Sequence, residues 1–173
     1  FRTTGVRKEL TFLMKKAAMN EFSVEKDDII LKPLHEEDIT LFDEWLNKGY
    51  IYKWLCPDGE EQRHAWLEEA ANKDGKYDFI NHFIVYYKDV KIGYCLYADC
   101  FFLKDQNEKG HDFGDLYGDV TEKNDTYEIG YMIGEEYYLG KGIGKIIIRK
   151  LEDKIRWLGG REISADPAED NIL

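Results

Sequence analysis

The chain has 173 residues and a formal net charge of −11, with 43% hydrophobic and 14% aromatic residues. That length suits one domain able to bury a core, and the composition excludes a disordered chain. No apolar run nears the ~18 residues a membrane helix needs, and the acidity argues against nucleic acid and anionic membranes as partners, because like charges repel.

The first 19 residues stand apart: Arg2, Arg7, Lys8, Lys15 and Lys16 against Glu9 alone give them a net +4 and leave −15 on the remainder. They read as a leader- or tag-like or disordered segment, with Met19 a natural start, so the domain is expected over 20–173. A first strand is predicted over 29–34, with Pro33 marking its edge or end. A helix over 36–47 follows, presenting Ile39, Phe42, Trp45 and Leu46 on one face and terminated by Gly49. A second helix over 58–73, started by Pro57-Asp58-Gly59, carries Ala65, Trp66 and Ala70. The aromatic and β-branched runs 79–87 and 91–97, joined through Lys88-Asp89-Val90, read as a hairpin.

Between Lys104 and Asp125 the chain is acidic and without clear periodicity: Asp105, Glu108, Asp112, Asp115, Asp119, Glu122 and Asp125 face only Lys104, Lys109 and Lys123. Loops of this length are functional or mobile as a rule, so the segment is either an attractor for a cationic substrate or a solvated flap. A strand over 126–133 comes next. The longest helix, 143–158, stripes Ile143, Ile147, Leu151, Ile155 and Leu158 along one face and closes at Gly159-Gly160. A last strand covers 162–165, completing one α+β domain.

The segment from Tyr127 to Lys145 carries the chemistry. Gly140, Gly142 and Gly144 open the longest helix, where unpaired N–H groups and the positive end of the helix dipole meet, a place suited to phosphate or another anion. Lys141 and Lys145 add positive charge; the competing reading is a glycine-rich turn. A Walker A loop fails, since five residues separate Gly134 from Gly140 and Lys141 is followed by Gly142. The dinucleotide fingerprint fails at Ile147. Serine hydrolysis is disfavoured, because Ser23 and Ser164 are the only serines and neither lies in G-x-S-x-G. His35, His64, His82 and His111 form no metal-binding spacing, so no metal is expected. Cys56, Cys95 and Cys100, lacking C-x-x-C, read as reduced thiols of a cytoplasmic protein, with Cys95 and Cys100, in a predicted strand and just beyond it, read as buried.

What remains, Leu139-Gly140-Lys141-Gly142-Ile143-Gly144 after a strand, resembles the Gln/Arg-x-x-G-x-G/A acyl-CoA loop of the GCN5-related N-acetyltransferase (GNAT) superfamily. Three other stretches, 31–47, 88–97 with Ile92-Gly93-Tyr94, and 165–171 with its D-P-x-x-x-N, resemble that superfamily in order and spacing. The aminoglycoside 6'-N-acetyltransferase-like branch is most similar. Leu139 departs from the pattern, so pyrophosphate binding would rest on backbone amides.

The resemblance implies a mixed, mostly antiparallel sheet flanked by helices, with acetyl-CoA as co-substrate. It implies Glu128 as general base, the competing role being a sheet-surface glutamate paired with a neighbouring strand. Met132 and Ile133 would meet the pantetheine arm and thioester carbonyl. Leu139, Gly140, Lys141, Gly142, Ile143, Gly144 and Lys145 would hold the pyrophosphate, and Asn171 would approach the CoA arm. Tyr127, Asp115 and Asp119 are candidates for substrate contact, with sheet packing the alternative for Tyr127 and Tyr131. Superfamily members continue past the asparagine, so a domain lacking C-terminal elements is expected, and an incomplete sheet edge would favour a homodimer. The expected function is acetyl transfer to a primary amine of a small cationic, aminoglycoside- or polyamine-like acceptor. Protein N-terminal or lysine acetylation and non-catalytic acyl-CoA binding are the alternatives.

Overall fold

The computed structural model describes residues 24–104, 107–108, 111–112 and 117–167. The leader-like segment 1–19, Asp115 and Asn171 lie outside them. Five strands form one sheet in the order β1-β2-β3-β6-β7: β1 Ile29–Pro33, β2 Ile80–Tyr87, β3 Val90–Asp99, β6 Thr126–Ile133 and β7 Glu162–Ser164. Asn107–Glu108 (β4) and His111–Asp112 (β5) pair as a separate ribbon. The ladders are antiparallel except β6–β7, which is parallel. The expected α+β, mostly antiparallel architecture is therefore present. Pro33, which lacks a ladder donor, ends the edge strand β1.

The helices divide between the two faces of the sheet. α5, Ile143–Leu158, covers one face. Ile143, Ile147, Leu151 and Ile155 recur every four residues on a 3.6-residue helix, so they line up in one stripe, and none is more than 1% exposed. Each such burial contributes about 1.5–3 kcal/mol. They pack on Ile29, Val85, Cys95, Tyr97, Tyr127 and Ile129. Gly159, at φ +96, ends the helix in the left-handed conformation glycine adopts without cost.

The other face is covered by α1 Ile39–Leu46, α2 Gly49–Leu55 and α3 Glu60–Ala71. Phe42, Trp45 and Leu46 of α1 are fully buried against Ile84, Tyr94, Leu96 and Met132. Gly49 opens α2 rather than only closing α1. The chain breaks at Asn47 and Lys48, whose amides bond back to Asp43 and Trp45, and the Ile51 amide then bonds to Lys48 to restart the helix. α2 buries Ile51 alone, so it has no stripe for a sequence pattern to reveal. α4, Cys100–Leu103, is a single turn after β3, capped by Asp99, whose side chain accepts from the Phe101 amide.

One irregularity in the sheet positions the site. Tyr86 pairs with Lys91 and Val85 with Gly93, which leaves Ile92 as an extra residue in β3. This bulge aims the Ile92 carbonyl at the chain leaving β6, where it accepts from the amides of Gly134 (2.8 Å) and Glu135 (3.1 Å). Among the described residues no helix is long and apolar enough to cross a membrane. Cys95 and Cys100 are buried free thiols, as expected, and the free thiol of Cys56 is buried as well.

Candidate active site

β6 is the element on which the site is built. Along one edge it pairs with β3 from Tyr127 to Ile133, but along the other it pairs with β7 only from Thr126 to Glu128. Beyond Glu128, no strand among the described residues covers that second edge. Successive strand amides point to opposite edges, so of Met132 and Ile133 one faces β3 and the other the open edge.

The exit of β6 is held from the α1–α2 side. Tyr50 donates its hydroxyl to the carbonyls of Gly134 (2.7 Å) and Ile133 (3.2 Å). Lys48 Nζ donates to the Gly134 carbonyl at 2.7 Å and to Glu135 at 3.2 Å, and Trp45 Nε1 donates to Glu135 at 2.7 Å. Burial, reinforced by Glu135 and Glu136, pushes the Tyr50 phenol up to about 12. The Trp45 hydrogen bond, with further help from Lys48, holds the Glu135 carboxyl below its usual value.

A short 3-10 turn, Glu136–Tyr138, then leads to Leu139 and the glycine loop. Gly140 and Gly142 have φ of +69 and +76, and a Cβ on either would meet open space. Glycine is needed there for backbone conformation. Gly144 is different: a Cβ there would lie 2.7 Å from the Tyr131 hydroxyl. Gly142 caps α5 with no side-chain hydrogen bond, and no acidic residue occupies the first turn. The first turn instead contains Lys145, an exposed cation at the positive end of a helix dipole, and Lys141 lies just before it, 4.5 Å from the Tyr137 ring. Like charges at that end are unfavourable unless an anion joins them.

Glu128 lies at the other end of β6, on the opposite face from α5. Its Oε2 accepts from the Tyr117 hydroxyl at 2.8 Å. The Cys100 thiol is close by, pushed up to about 12 by burial and then by the Glu128 and Asp99 charges. Burial, followed by Glu128, likewise raises the Tyr117 phenol well above its usual value. This phenol comes from the segment after β5, where the sequence points to the acidic residues rather than the aromatic ones. The sequence signal is the pair Tyr117 and Val120, three apart in an acidic stretch whose other apolar residues are Phe113 and Leu116.

Asp119 is exposed, two residues beyond Tyr117. Tyr127 has no access to substrate. It is 3% exposed on the α5 face, edge-on to the Tyr97 ring, with its hydroxyl donated to Asn124. Strand alternation sends it away from its neighbour Glu128, so packing is its role. The remaining predicted residues that are described lie at two places along β6 and its continuation, Glu128 at one and Met132 through Lys145 at the other.

None of the curated protein sequences compared with the chain matches it. Solved structures do match in fold. The aminoglycoside acetyltransferase AAC(6')-Ib in complex with coenzyme A is 20% identical, with a TM-score of 0.63 over 83% of this chain and 77% of that one. The same enzyme with ribostamycin and coenzyme A gives 20% identity and 0.64 over 83% and 76%. An uncharacterized protein from Bacillus halodurans gives 14% and 0.62 over 83% and 67%. The profile of the Acetyltransferase (GNAT) family matches residues 39–172, which spans both ends of the site just described. The chain therefore belongs to the acetyltransferase (GNAT) family, whose members are acetyl-CoA-dependent N-acetyltransferases.

Proposed function

We propose that this chain transfers the acetyl group of acetyl-CoA to a primary amine of a small cationic acceptor, aminoglycoside- or polyamine-like, with Glu128 as the general base. One observation carries the reading: a partly buried carboxylate and an uncapped, lysine-flanked helix start lie on one strand and its direct continuation. Glu128 precedes Met132 by four residues, about 13 Å at ~3.3 Å per residue, which leaves room for the amine or for a relaying water.

The first-turn amides of α5, from Ile143 to Lys145, would take the pyrophosphate with Lys141 and Lys145, while Gly140 and Gly142 hold the loop in shape. Leu139 offers no polar group, so the amides carry that contact. Whichever of Met132 and Ile133 turns its N–H to the open edge of β6 would polarise the thioester carbonyl, and Asn171 would meet the CoA arm. The amine nitrogen bonds to the carbonyl carbon, its proton passes to Glu128, the C–S bond breaks, and CoA leaves as a thiolate that takes a proton from solvent. Proximity supplies much of the acceleration, and the base adds about 10²–10⁴-fold. A cationic acceptor suits the −15 charge carried beyond residue 19 and the exposed Asp119, with Asp115 in the same segment. It also suits the complexes of the structural relatives with ribostamycin and with kanamycin.

The test pairs calorimetric titration of acetyl-CoA, with desulfo-CoA and ADP as controls, with turnover of Glu128→Gln. The variant should bind acetyl-CoA as the wild type does and lose at least 100-fold in kcat. Turnover within twofold of wild type would remove Glu128 from the chemistry.

A further inference from the structure

We propose that Tyr117 is a positioning residue, whose phenol fixes the Glu128 carboxylate on the acceptor face of the sheet and so ties it to the acidic segment before β6. The proposal rests on the reading of Glu128 as base. Three observations on separate elements support it. The 2.8 Å bond from the Tyr117 hydroxyl to Glu128 Oε2 joins residues eleven apart in sequence, so it depends on how the intervening chain folds. The Tyr117 side chain is 4% exposed and belongs to the core formed with Phe42, Leu96 and Met132, so the ring has little freedom to leave.

The third observation is that the segment carrying Tyr117 is pinned at its base. Asp99 accepts from the Phe101 amide with one oxygen and from the Asn124 amide with the other, both at 3.0 Å. Lys104 Nζ donates to the Val120 carbonyl at 2.8 Å. These contacts draw the two ends of the segment together beside β6, and Tyr117 is placed from that closure.

A hydrogen bond donated to a carboxylate restricts its rotamers and stabilises its charged form. Among the described residues, the titratable groups against Glu128 include the Tyr117 phenol from the acidic segment and the Cys100 thiol from α4, with Asp99 next to that thiol. Phenol and thiol are both held neutral through the assay range by burial, so neither titrates in place of Glu128. Removing the phenol oxygen takes away one hydrogen bond that favours the charged, oriented carboxylate.

Tyr117→Phe keeps the ring in the core and deletes only the oxygen. The expected result is a fall of about tenfold in kcat, unchanged acetyl-CoA affinity by calorimetry, and an upward shift of about one unit in the acid limb of the kcat–pH profile. A merely structural tyrosine would lower stability without moving that limb. A profile and kcat superimposable on wild type, with Glu128→Gln inactive, would overturn the proposal and leave the base in place. An active Glu128→Gln would remove the base and this proposal with it. If Tyr117→Phe does not fold, Lys104→Met serves instead, since it removes the Lys104–Val120 bond that holds the segment carrying Tyr117 without touching Glu128. It should move the limb the same way by a few tenths of a unit, and an unmoved limb there would overturn the proposal.

Discussion

Gly134 is the point where β6 leaves the sheet for the glycine loop, and replacing it with alanine adds one methyl group at a place the structure has filled. A Cβ on Gly134 would stand 2.3–2.5 Å from three atoms of the Trp45 indole, over 1 Å inside ordinary contact. Trp45 is 0% exposed, and its Nε1 is committed to Glu135 at 2.7 Å, so the ring cannot step aside freely. Overpacking of a tight core costs about 1–3 kcal/mol, and loss of a hydrogen bond to a charged group costs about 1.5–3 kcal/mol. Gly134→Ala should therefore lose about 3 kcal/mol in urea unfolding, a fall of roughly 6–12 °C in Tm for a domain of this size. Gly142→Ala is the control: its Cβ would meet nothing within 4 Å, and only φ +76 opposes it, for about 1–2 kcal/mol. Trp45→Phe should recover part of the Gly134→Ala loss in a double-mutant cycle, because the smaller ring vacates the contested space. A Gly134→Ala loss below about 1 kcal/mol, or no coupling to Trp45, would mean that the indole does not set the path of the chain there.

Two further outcomes follow from buried ionisable groups on the α1–α3 side. His82 is pushed down to about 4 by burial, with Nδ1 hydrogen-bonded to the Tyr94 hydroxyl at 2.6 Å. The unfolded chain, with its histidine near 6.5, binds the proton first as pH falls, so stability drops across pH 6.5 to 4 by about 3 kcal/mol. His82→Gln should flatten urea midpoints between pH 6.5 and 4.5, above the range where Asp38 and Glu135, both held below their usual values, begin to contribute; parallel wild-type and variant curves there would contradict this. Lys91→Met leaves the Asp38 carboxylate, 4% exposed and now bonded to Lys91 Nζ at 2.6 Å, without its cation. A loss of about 2–4 kcal/mol at pH 7, shrinking as the buffer is acidified and Asp38 protonates, is expected from denaturation midpoints.

The parts of this molecule that a reader of the sequence can see are those governed by local periodicity. The stripe of α5 and the strand 126–133 were legible to the residue, because four-residue and two-residue repeats state which face is buried. The glycine loop was visible for a related reason: Gly140 and Gly142 are required by positive φ, a local demand that leaves a local mark. α2 was not legible, because Tyr50 and Trp54 favour strands in isolation. What helps hold that segment as a helix is the grip of Tyr50 on carbonyls more than eighty residues away. Tyr117 is hidden in the sequence for the same reason, being placed by the Asp99 and Lys104 contacts that close the acidic segment.

The register of β6 decides whether these pieces can cooperate. Its odd residues Tyr127, Ile129 and Ile133 lie under α5, and Tyr131 stands against Gly144 at the start of that helix. Its even residues Glu128 and Met132 face the α1–α3 side. A slip of one residue would bury Glu128 under α5 and turn Tyr127 to the opposite face, losing base and core together. Two features guard against it, and both depend on exact fit. A Cβ on Gly93 would strike the Met132 carbonyl at 2.3 Å, so only glycine permits the approach of β3 to β6. The Ile92 bulge then takes the Gly134 and Glu135 amides on one carbonyl, fixing where the strand ends. The short Ile-Gly-Tyr stretch in β3 thus sets the distance from Glu128 to the glycine loop.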